Sequence, residues 1–215
     1  ATKGGLYRST DSGASWSSVV SGLTEVQLAA VAFAPDDGQA AFVAGVIMHR
    51  SVDGGLTWVP VKTFEFPVAA LAVSTNFSDD GTAALSFGRN GNGIFITTDA
   101  GASWQPSLTG LTDLFVNDLA IANDGTLLAV ASDGGFHRAD DPLGPWTVFN
   151  DGFEPLSDQS PDHYFAVSPS PAFDQDGTAF VAAFEGLFKS TDRGESWSQA
   201  DLYHQRINRE VSPSP

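Results

Sequence analysis

The sequence predicts an all-β fold, and three observations support this prediction. One octapeptide that ends in tryptophan recurs along the 215-residue chain. Ahead of each copy after the first, a turn rich in Asp and Gly separates two short apolar segments. These segments have the length of strands, and no 3.6-residue periodicity persists through them.

The octapeptide, which we call the box, has the pattern Ser/Thr-x-Asp-x-Gly-x-Ser/Thr-Trp. Its four complete copies share Ser9, Asp11, Gly13 and Trp16; Ser51, Asp53, Gly55 and Trp58; Thr97, Asp99, Gly101 and Trp104; and Ser190, Asp192, Gly194 and Trp197. A degraded copy keeps only Asp141 and Trp146. All five tryptophans of the chain therefore occupy one repeated position, at spacings of 42, 46, 42 and 51 residues.

The turns ahead of the boxes lie at residues 34–38, 77–81, 122–125 and 173–177. Asp-Gly between short apolar segments favours a hairpin, because glycine accepts positive φ. Each repeat therefore predicts four strands, which in the last repeat are Tyr164–Ser168, Ala179–Phe184, Gly186–Ser190 and Ser196–Gln199. Four antiparallel strands repeated every ~40–50 residues predict the blades of a β-propeller.

We expect one propeller domain over residues 1–215, with five visible blades. The box-centred repeats are 1–20, 21–62, 63–110, 111–150 and 151–205, and residues 206–215 start a further or closing blade. Residues 211–215 repeat 167–171, and the segment 1–9 repeats 182–190. Either the last blade is shared between the two termini, or the chain is a slice of a longer propeller, which we favour. Both arrangements leave an open sheet edge through which the chain would assemble with a partner.

The box pattern resembles the Asp-box, or BNR, repeat of sialidase-like β-propellers. The same repeat occurs in oligoxyloglucan-processing glycosidases, in sortilin-type receptors and in a photosystem II assembly factor. The resemblance covers essentially the whole chain and implies the propeller fold, but one fold hosts many functions. In the family the boxes lie at the propeller rim, away from the active centre. This implies that the box residues have a structural role.

The chemistry of the box residues supports the same interpretation. An aspartate at the start of a tight turn accepts hydrogen bonds from the following N–H groups, and Ser or Thr hydroxyls act likewise. Glycine takes a conformation that other residues avoid. Tryptophan then covers the turn with a large ring.

Composition excludes several classes of function. The chain has 10 Lys+Arg against 26 Asp+Glu, a formal net charge of −16. This charge argues against nucleic-acid binding and against an anionic membrane surface. The absence of cysteine excludes disulfides and thiol nucleophiles. No apolar run approaches the ~18 residues that span a bilayer, so membrane insertion is not expected.

No cofactor and no metal site are predicted. The turn from Asp174 to Gly177 begins like a calcium loop, but Ala179 stands where an EF-hand requires glycine. Turn chemistry is the favoured explanation, and the net charge leaves weak calcium binding open.

Cations precede the box in four of the five repeats. They are Arg8, Arg50, Arg138 and Lys189, and Ile96 takes the equivalent place in the third repeat. A ring of such cations around the axis would bind an anion or an acidic sugar. The favoured alternative is that each stem packs between blades while its head pairs with a box carboxylate. His49 and His137 stand one residue earlier and are interpreted as packing residues.

Enzymatic activity is left open, with the balance against it. A sialidase would need an arginine triad and a Tyr/Glu pair, for which the sequence has no matching motif. Other glycosidases need two carboxylates ~5–9.5 Å apart. The acids outside repeated turns that are candidates for this role are Asp113, Asp118, Asp151, Glu154, Asp158 and Asp162.

The longest insertion, residues 150–163, is the best candidate for a ligand site. It is acidic and breaks the repeat period, and long loops on rigid scaffolds often carry function. The predicted contacts are Phe153, Glu154, Asp158, Asp162 and His163. A solvated loop that binds nothing is the favoured alternative.

The favoured function is a non-catalytic binding or scaffold propeller that engages protein or glycan through its loops. The alternatives are a glycoside hydrolase fragment, sialidase-like or other, and a subunit of a larger extracellular assembly. An extracellular or cell-surface location is expected from the resemblance and from the acidic composition.

Overall fold

The computed structural model describes residues 4–36, 38–153, 164–184 and 186–200, which form five antiparallel sheets. Blade 1 contains β1 (Leu6–Arg8) and β2 (Ser17–Val19). Blade 2 contains β3 (Ala30–Phe33), β4 (Ala41–Ala44), β5 (Ile47–Ser51) and β6 (Val59–Thr63). Blade 3 contains β7 (Ala70–Val73), β8 (Ala83–Ser86), β9 (Ile94–Thr97) and β10 (Gln105–Ser107). Blade 4 contains β11 (Val116–Ile121), β12 (Leu127–Ala131), β13 (Gly135–Ala139) and β14 (Thr147–Val148). Blade 5 contains β15 (Tyr164–Pro169), β16 (Ala179–Ala183), β17 (Gly186–Ser190) and β18 (Ser198–Gln199).

Within blades 2 to 5 the four strands pair in the order in which they occur along the chain. The inner strands β3, β7, β11 and β15 are neighbours in succession, as blades around an axis require. The predicted all-β propeller fold is confirmed.

Two of the predicted hairpin turns contain a short helical turn instead, α1 (Phe77–Asp80) and α2 (Phe173–Asp176). The aromatic residue that opens each turn is buried in the core between blades. The glycine that ends each turn has φ of 60° at Gly81 and 57° at Gly177. The aromatic side chain of each helical turn therefore packs into the core. The glycine, with its positive φ, ends the helical turn before the next strand begins.

The hydrophobic core lies between the blades. One cluster joins blades 2 and 3, another joins blades 3 and 4, and a third joins blades 4 and 5. All residues of β4, β8 and β12 are buried, because neighbouring blades cover both faces of these strands. This explains why the sequences of these strands are continuously apolar.

None of the helices in the described part of the chain has the length and apolar character needed to cross a membrane.

Candidate functional site

The four complete boxes share one hydrogen-bonded turn. In the first, Asp11 Oδ1 accepts hydrogen bonds from Ser9 Oγ at 2.7 Å and from Ser15 N at 2.9 Å. Ser15 Oγ donates to Asp11 Oδ2 at 2.5 Å, and Gly13 N donates to Ser9 Oγ at 2.8 Å. The equivalent bonds form around Asp53, Asp99 and Asp192. The box carboxylates are therefore occupied in shaping their own turns.

These hydrogen bonds stabilise the charged form of the box aspartates. Those from the Ser15 hydroxyl and N–H lower the pKa of Asp11 to about 2. The pKa of Asp53 and that of Asp99 fall to about 2 for the same reason. At Asp192 partial burial opposes the shift, but the hydrogen bonds still lower the pKa. Carboxylates held in this way do not act as proton donors near neutral pH.

The box also forms a contact between blades. A Cβ on Gly101 would lie 2.5 Å from the ring of Phe42, and one on Gly194 would lie 2.4 Å from the ring of Phe136. Each phenylalanine belongs to the preceding blade. Phe136 also packs edge to face against Trp197, with ring centroids 4.8 Å apart. The glycine and the tryptophan of a box therefore receive an aromatic ring from the blade before it.

The cations that precede the boxes also contact the next blade. Arg138 Nη1 donates to the carbonyl of Arg193, inside the next box, at 2.9 Å, and its guanidinium lies 4.5 Å from the ring centroid of Phe149. Arg138 Nε also pairs with Asp140 at 3.0 Å. The structure thus places Arg138 between blades 4 and 5.

Two further cations from the same repeated position approach the next box. Arg50 Cδ lies 3.6 Å from the Cβ position of Gly101, and Arg8 Nη2 lies 3.9 Å from that of Gly54. Lys189 is exposed on blade 5, with its ammonium 5.9 Å from the ring centroid of Phe180. The binding of an anion by these cations stays a prediction.

His49 and His137 hold the loops that enter their blades. His49 Nε2 accepts a hydrogen bond from Thr24 N at 3.1 Å, and its Nδ1 lies 3.2 Å from the carbonyl of Ile47. His137 makes the same contacts with Thr112 N at 3.3 Å and with the carbonyl of Gly135 at 3.2 Å. These partners select the neutral tautomer with hydrogen on Nδ1. Burial lowers the pKa of both histidines.

The sequence contains a signal for this loop contact. Residues 21–25 read Ser-Gly-Leu-Thr-Glu and residues 109–113 read Thr-Gly-Leu-Thr-Asp. In both cases the threonine lies 25 residues before its histidine. Two copies of a segment at one distance from two histidines indicate a structural pair.

We expect the histidines to make folding sensitive to mild acid. Because the folded-state pKa is lowered, the unfolded chain binds more protons as the pH falls. Their stabilising effect is therefore complete above pH ~6.5 and is lost as the pH falls from there toward the folded-state pKa. The double variant His49→Gln/His137→Gln keeps a hydrogen-bond acceptor and removes the titration. Urea unfolding between pH 8 and pH 5 should show a flatter stability profile for it than for the wild type. Equal slopes in the two proteins would contradict this.

Three glycines each lie against the main chain of a box tryptophan. A Cβ on Gly22, Gly110 or Gly152 would lie only 1.7, 2.0 or 1.8 Å from the carbonyl oxygen of Trp58, Trp146 or Trp197 respectively. Gly152, at the start of the predicted insertion, therefore makes the same main-chain contact as Gly22 and Gly110.

Phe153 follows Gly152 and packs in the core. Its ring stacks on Trp197 with centroids 5.2 Å apart and meets the rings of Tyr164 at 5.1 Å and Phe188 at 5.0 Å. The structure thus places this candidate ligand contact in the packing between blades 4 and 5. The other candidates of the insertion, Glu154, Asp158, Asp162 and His163, lie outside the described residues.

Two of the remaining candidate acids accept hydrogen bonds from backbone N–H groups through their carboxylates. Asp113 accepts hydrogen bonds from the N–H groups of Phe115 and Asp133, both at 2.9 Å. Asp118 lies on β11 and accepts from Val167 N at 3.0 Å, and burial raises its pKa. Asp151 is exposed, and its main-chain carbonyl accepts from Trp197 N at 2.8 Å.

The turn that resembled a calcium loop is held by a hydrogen bond within the turn and by one from Asn123 in blade 4. Asp176 Oδ1 accepts from Thr178 N at 2.7 Å, and Asp174 Oδ1 accepts from Asn123 Nδ2 at 2.5 Å. Among the residues that the structure describes, no three His, Asp or Glu side chains lie close enough together to hold a metal ion. Weak calcium binding stays a prediction.

A groove of about 740 Å³ lies between blade 1 and blade 2, and we call it the β1 groove. Its lining includes Tyr7, Val31, Phe33 and Leu56, all of which are exposed. Val31 is 39% exposed and Phe33 is 46% exposed. Their counterparts by strand register in blade 4 are buried, because the inner strands of blade 3 cover them. These counterparts are Leu119 and Ile121. Nothing in the sequence pattern distinguished Val31 and Phe33 from the buried residues.

Comparison with known proteins identifies the relatives of this chain. The family model described as photosynthesis system II assembly factor YCF48 matches residues 1–152. No curated protein matches the chain. Similar solved structures include YCF48 from Cyanidioschyzon merolae, with TM-score 0.53 and 16% identity over 80% of this chain and 55% of that one.

Two further solved structures are also similar. The GH74 xyloglucanase from Xanthomonas campestris has TM-score 0.63 and 17% identity over 100% of this chain and 35% of that one. The extracellular domain of a hybrid two-component system from B. thetaiotaomicron has TM-score 0.65 and 13% identity over 92% of this chain and 25% of that one. At such identities the likeness shows the fold alone. The chain spans between about a quarter and about half of the length of these three proteins.

The family match corrects the expected location. The matching family is named for the assembly of photosystem II, which does not take place outside the cell. The prediction of an extracellular or cell-surface protein is therefore wrong. It relied on the resemblance of the box repeat and on the acidic composition, neither of which determines location.

Proposed function

Because the chain belongs to the photosynthesis system II assembly factor YCF48 family, we propose that it is a non-catalytic propeller that binds a protein during assembly of this photosystem. The observation that carries the proposal is the β1 groove with its exposed apolar lining. The box aspartates, the buried histidines and Arg138 are occupied in joining turns and blades. The groove is left as a surface suited to a partner.

The chemistry of the β1 groove favours a polypeptide. Its exposed side chains Tyr7, Val31 and Phe33 are aromatic or β-branched, and clustered apolar surface of this kind marks protein contacts. Within the described ranges, β1 is paired to one strand, β2. An extended segment that adds to β1 would form main-chain hydrogen bonds and place alternate side chains on Phe33.

The proposal is tested by Phe33→Ser in the full chain. Loss of a buried phenylalanine contact is worth about 1.5–3 kcal/mol, so we expect roughly tenfold or greater loss of co-purification with photosystem II assembly intermediates. Val59→Ser is the matched control, because Val59 is 63% exposed on the outer strand β6 and does not line the groove. Unchanged co-purification of Phe33→Ser, with a normal melting curve, would exclude the groove as the binding site.

A second candidate function is glycoside hydrolysis, and Asp118 is the observation in its favour. Burial raises the pKa of Asp118, as is typical of a carboxylic acid that donates a proton in catalysis. Xyloglucan oligosaccharides are the first substrates to test, since a GH74 xyloglucanase shares the fold. Turnover by the wild type that Asp118→Asn abolishes would replace the scaffold proposal with this one.

A further inference from the structure

Two buried hydrogen-bond donors between blades 2 and 3 lack an acceptor. Arg50 Nε and Trp104 Nε1 are both buried, and neither makes a hydrogen bond to any residue that the structure describes. Blades 2 and 3 each have four described strands, so the contact between them is complete. Buried donors in folded proteins nearly always have a partner, and an unpaired donor is costly, most of all a charged one. These two donors therefore indicate an acceptor from outside the two blades.

The two donors lie around one phenylalanine ring. Phe42 is opposite Arg50 in the strand register, and Trp104 packs edge to face against Phe42 with ring centroids 5.7 Å apart. Arg50 Cδ lies 3.6 Å from the Cβ position of Gly101, which belongs to the same box as Trp104. The guanidinium of blade 2 and the indole of blade 3 therefore belong to one contact between the blades.

The equivalent contact between blades 4 and 5 shows which groups satisfy these donors. Arg138 Nε pairs with the carboxylate of Asp140 at 3.0 Å, and Arg138 Nη1 lies 3.9 Å from the carboxylate of Glu195. The indole of Trp197 donates to the main-chain carbonyl of Phe149 at 3.2 Å. In this chain, carboxylates are thus the partners of a guanidinium at the position before the box.

Each of these acceptors is replaced between blades 2 and 3. The positions of the two acids are held by Val52 and Ala102. The residue three places after the box tryptophan, which supplies the carbonyl in blade 4, is Val61 in blade 2 and forms a bulge in β6. A bulge redirects the main chain, so the carbonyl does not take the same place. Val52 is 62% exposed, so the position that an acid would occupy beside Arg50 is open to solvent.

We propose that Arg50 and Trp104 bind the carboxylate of an acidic side chain from another protein. The guanidinium supplies the positive charge and donates through Nε, and the indole N–H donates a second hydrogen bond. The site has one cation in a chain of net charge −16, so a carboxylate with a single charge fits it better than a phosphate dianion. The proposal goes beyond the proposed function, because neither residue lines the β1 groove.

The test is an NMR titration that follows the indole N–H signals of the full chain. Sodium acetate, which has the carboxylate of an acidic side chain, should shift the signal of Trp104 until it saturates, whereas sodium chloride at equal ionic strength should not. The signals of Trp146 and Trp197 should stay in place, because their indoles already donate to Ser107 Oγ and to the carbonyl of Phe149. An equal response of Trp104 to the two salts would overturn the proposal.

A second titration distinguishes a side chain from a small free acid. The blocked peptide acetyl-glycyl-glutamyl-glycinamide, whose only carboxylate is a side chain, should shift the Trp104 signal as acetate does. A response to acetate without a response to the peptide would mean that the site accepts only small free acids. The assignment to the side chain of another protein would then be wrong.

Val52→Asp supplies the missing acceptor from within the chain. It should reproduce the pair of Arg138 and Asp140, and it should weaken acetate binding roughly two- to fivefold, the range for an exposed ion pair. Val26→Asp is the matched control, because Val26 is 63% exposed in the loop ahead of β3 and the variant adds the same charge there. Acetate affinity that is the same in Val52→Asp and in the wild type would contradict the proposal.

Arg50→Gln should abolish the response of Trp104 to acetate, and a melting curve checks that this variant is folded. A response that persists in folded Arg50→Gln would also overturn the proposal. Val52→Asp changes an exposed residue and therefore tests the site without removal of a buried group. Phe33→Ser should leave the response to acetate unchanged, so failure of this site and failure of the proposed function can be distinguished.

Discussion

Gly110→Ala is expected to destabilise the protein by about 2–5 kcal/mol. The new Cβ would lie 2.0 Å from the carbonyl oxygen of Trp146, a backbone atom that has little room to move. The residue also has φ of +88°, which costs a non-glycine residue about 1–2 kcal/mol. Crowding in a packed region adds about 1–3 kcal/mol. Urea unfolding of the purified chain at pH 8 measures the sum.

Gly125→Ala separates the two contributions. Gly125 has φ of +86°, almost the same as Gly110, but a Cβ there would meet no atom within 4 Å. We expect it to lose only the conformational part, about 1–2 kcal/mol. Equal losses at the two positions would show that the contact with Trp146 does not constrain the loop. The contact would then also fail to explain why glycine is present at positions 22 and 152, which approach Trp58 and Trp197 in the same way.

The boxes and the blades could be predicted because they depend on local interactions. The hydrogen bonds that shape the first box join residues at most four apart, such as Ser15 N to Asp11. A repeated octapeptide therefore reveals its own conformation. The number of apolar segments then indicates the number of strands in a blade. In blade 5 the predicted strand Gly186–Ser190 has the same bounds as β17.

The contacts between blades could not be predicted, because they join residues far apart in sequence. Arg138 and the carbonyl of Arg193 are 55 residues apart, and the indole of Trp197 reaches Phe149 over 48 residues. Which face of a strand meets the next blade depends on strand register and on the positions of whole sheets. For this reason the sequence does not reveal that Phe153 packs against Trp197. The exposure of Phe33 was missed for the same reason.

Gly194→Ala is expected to destabilise the protein by about 2–5 kcal/mol through a contact between blades. Its Cβ would lie 2.4 Å from the ring of Phe136, and its φ of +84° adds the conformational cost. Gly13→Ala is the matched control in the first box. It has φ of +88°, and the nearest atom to a Cβ there is Cζ2 of Trp16 at 3.9 Å. The control should lose about 1–2 kcal/mol, again measured by urea unfolding.

A double-mutant cycle then identifies the atoms responsible. Phe136→Leu removes the ring that the new Cβ would strike, so Gly194→Ala/Phe136→Leu should be less destabilised than the sum of the single variants, by about 1 kcal/mol or more. Additive losses would mean that glycine is required here for the turn alone. The ring of Phe136 would then not determine how blade 4 packs against the box of blade 5. Coupling between Gly194 and Phe136 would instead show that the ring of blade 4 requires glycine at this position in the box of blade 5.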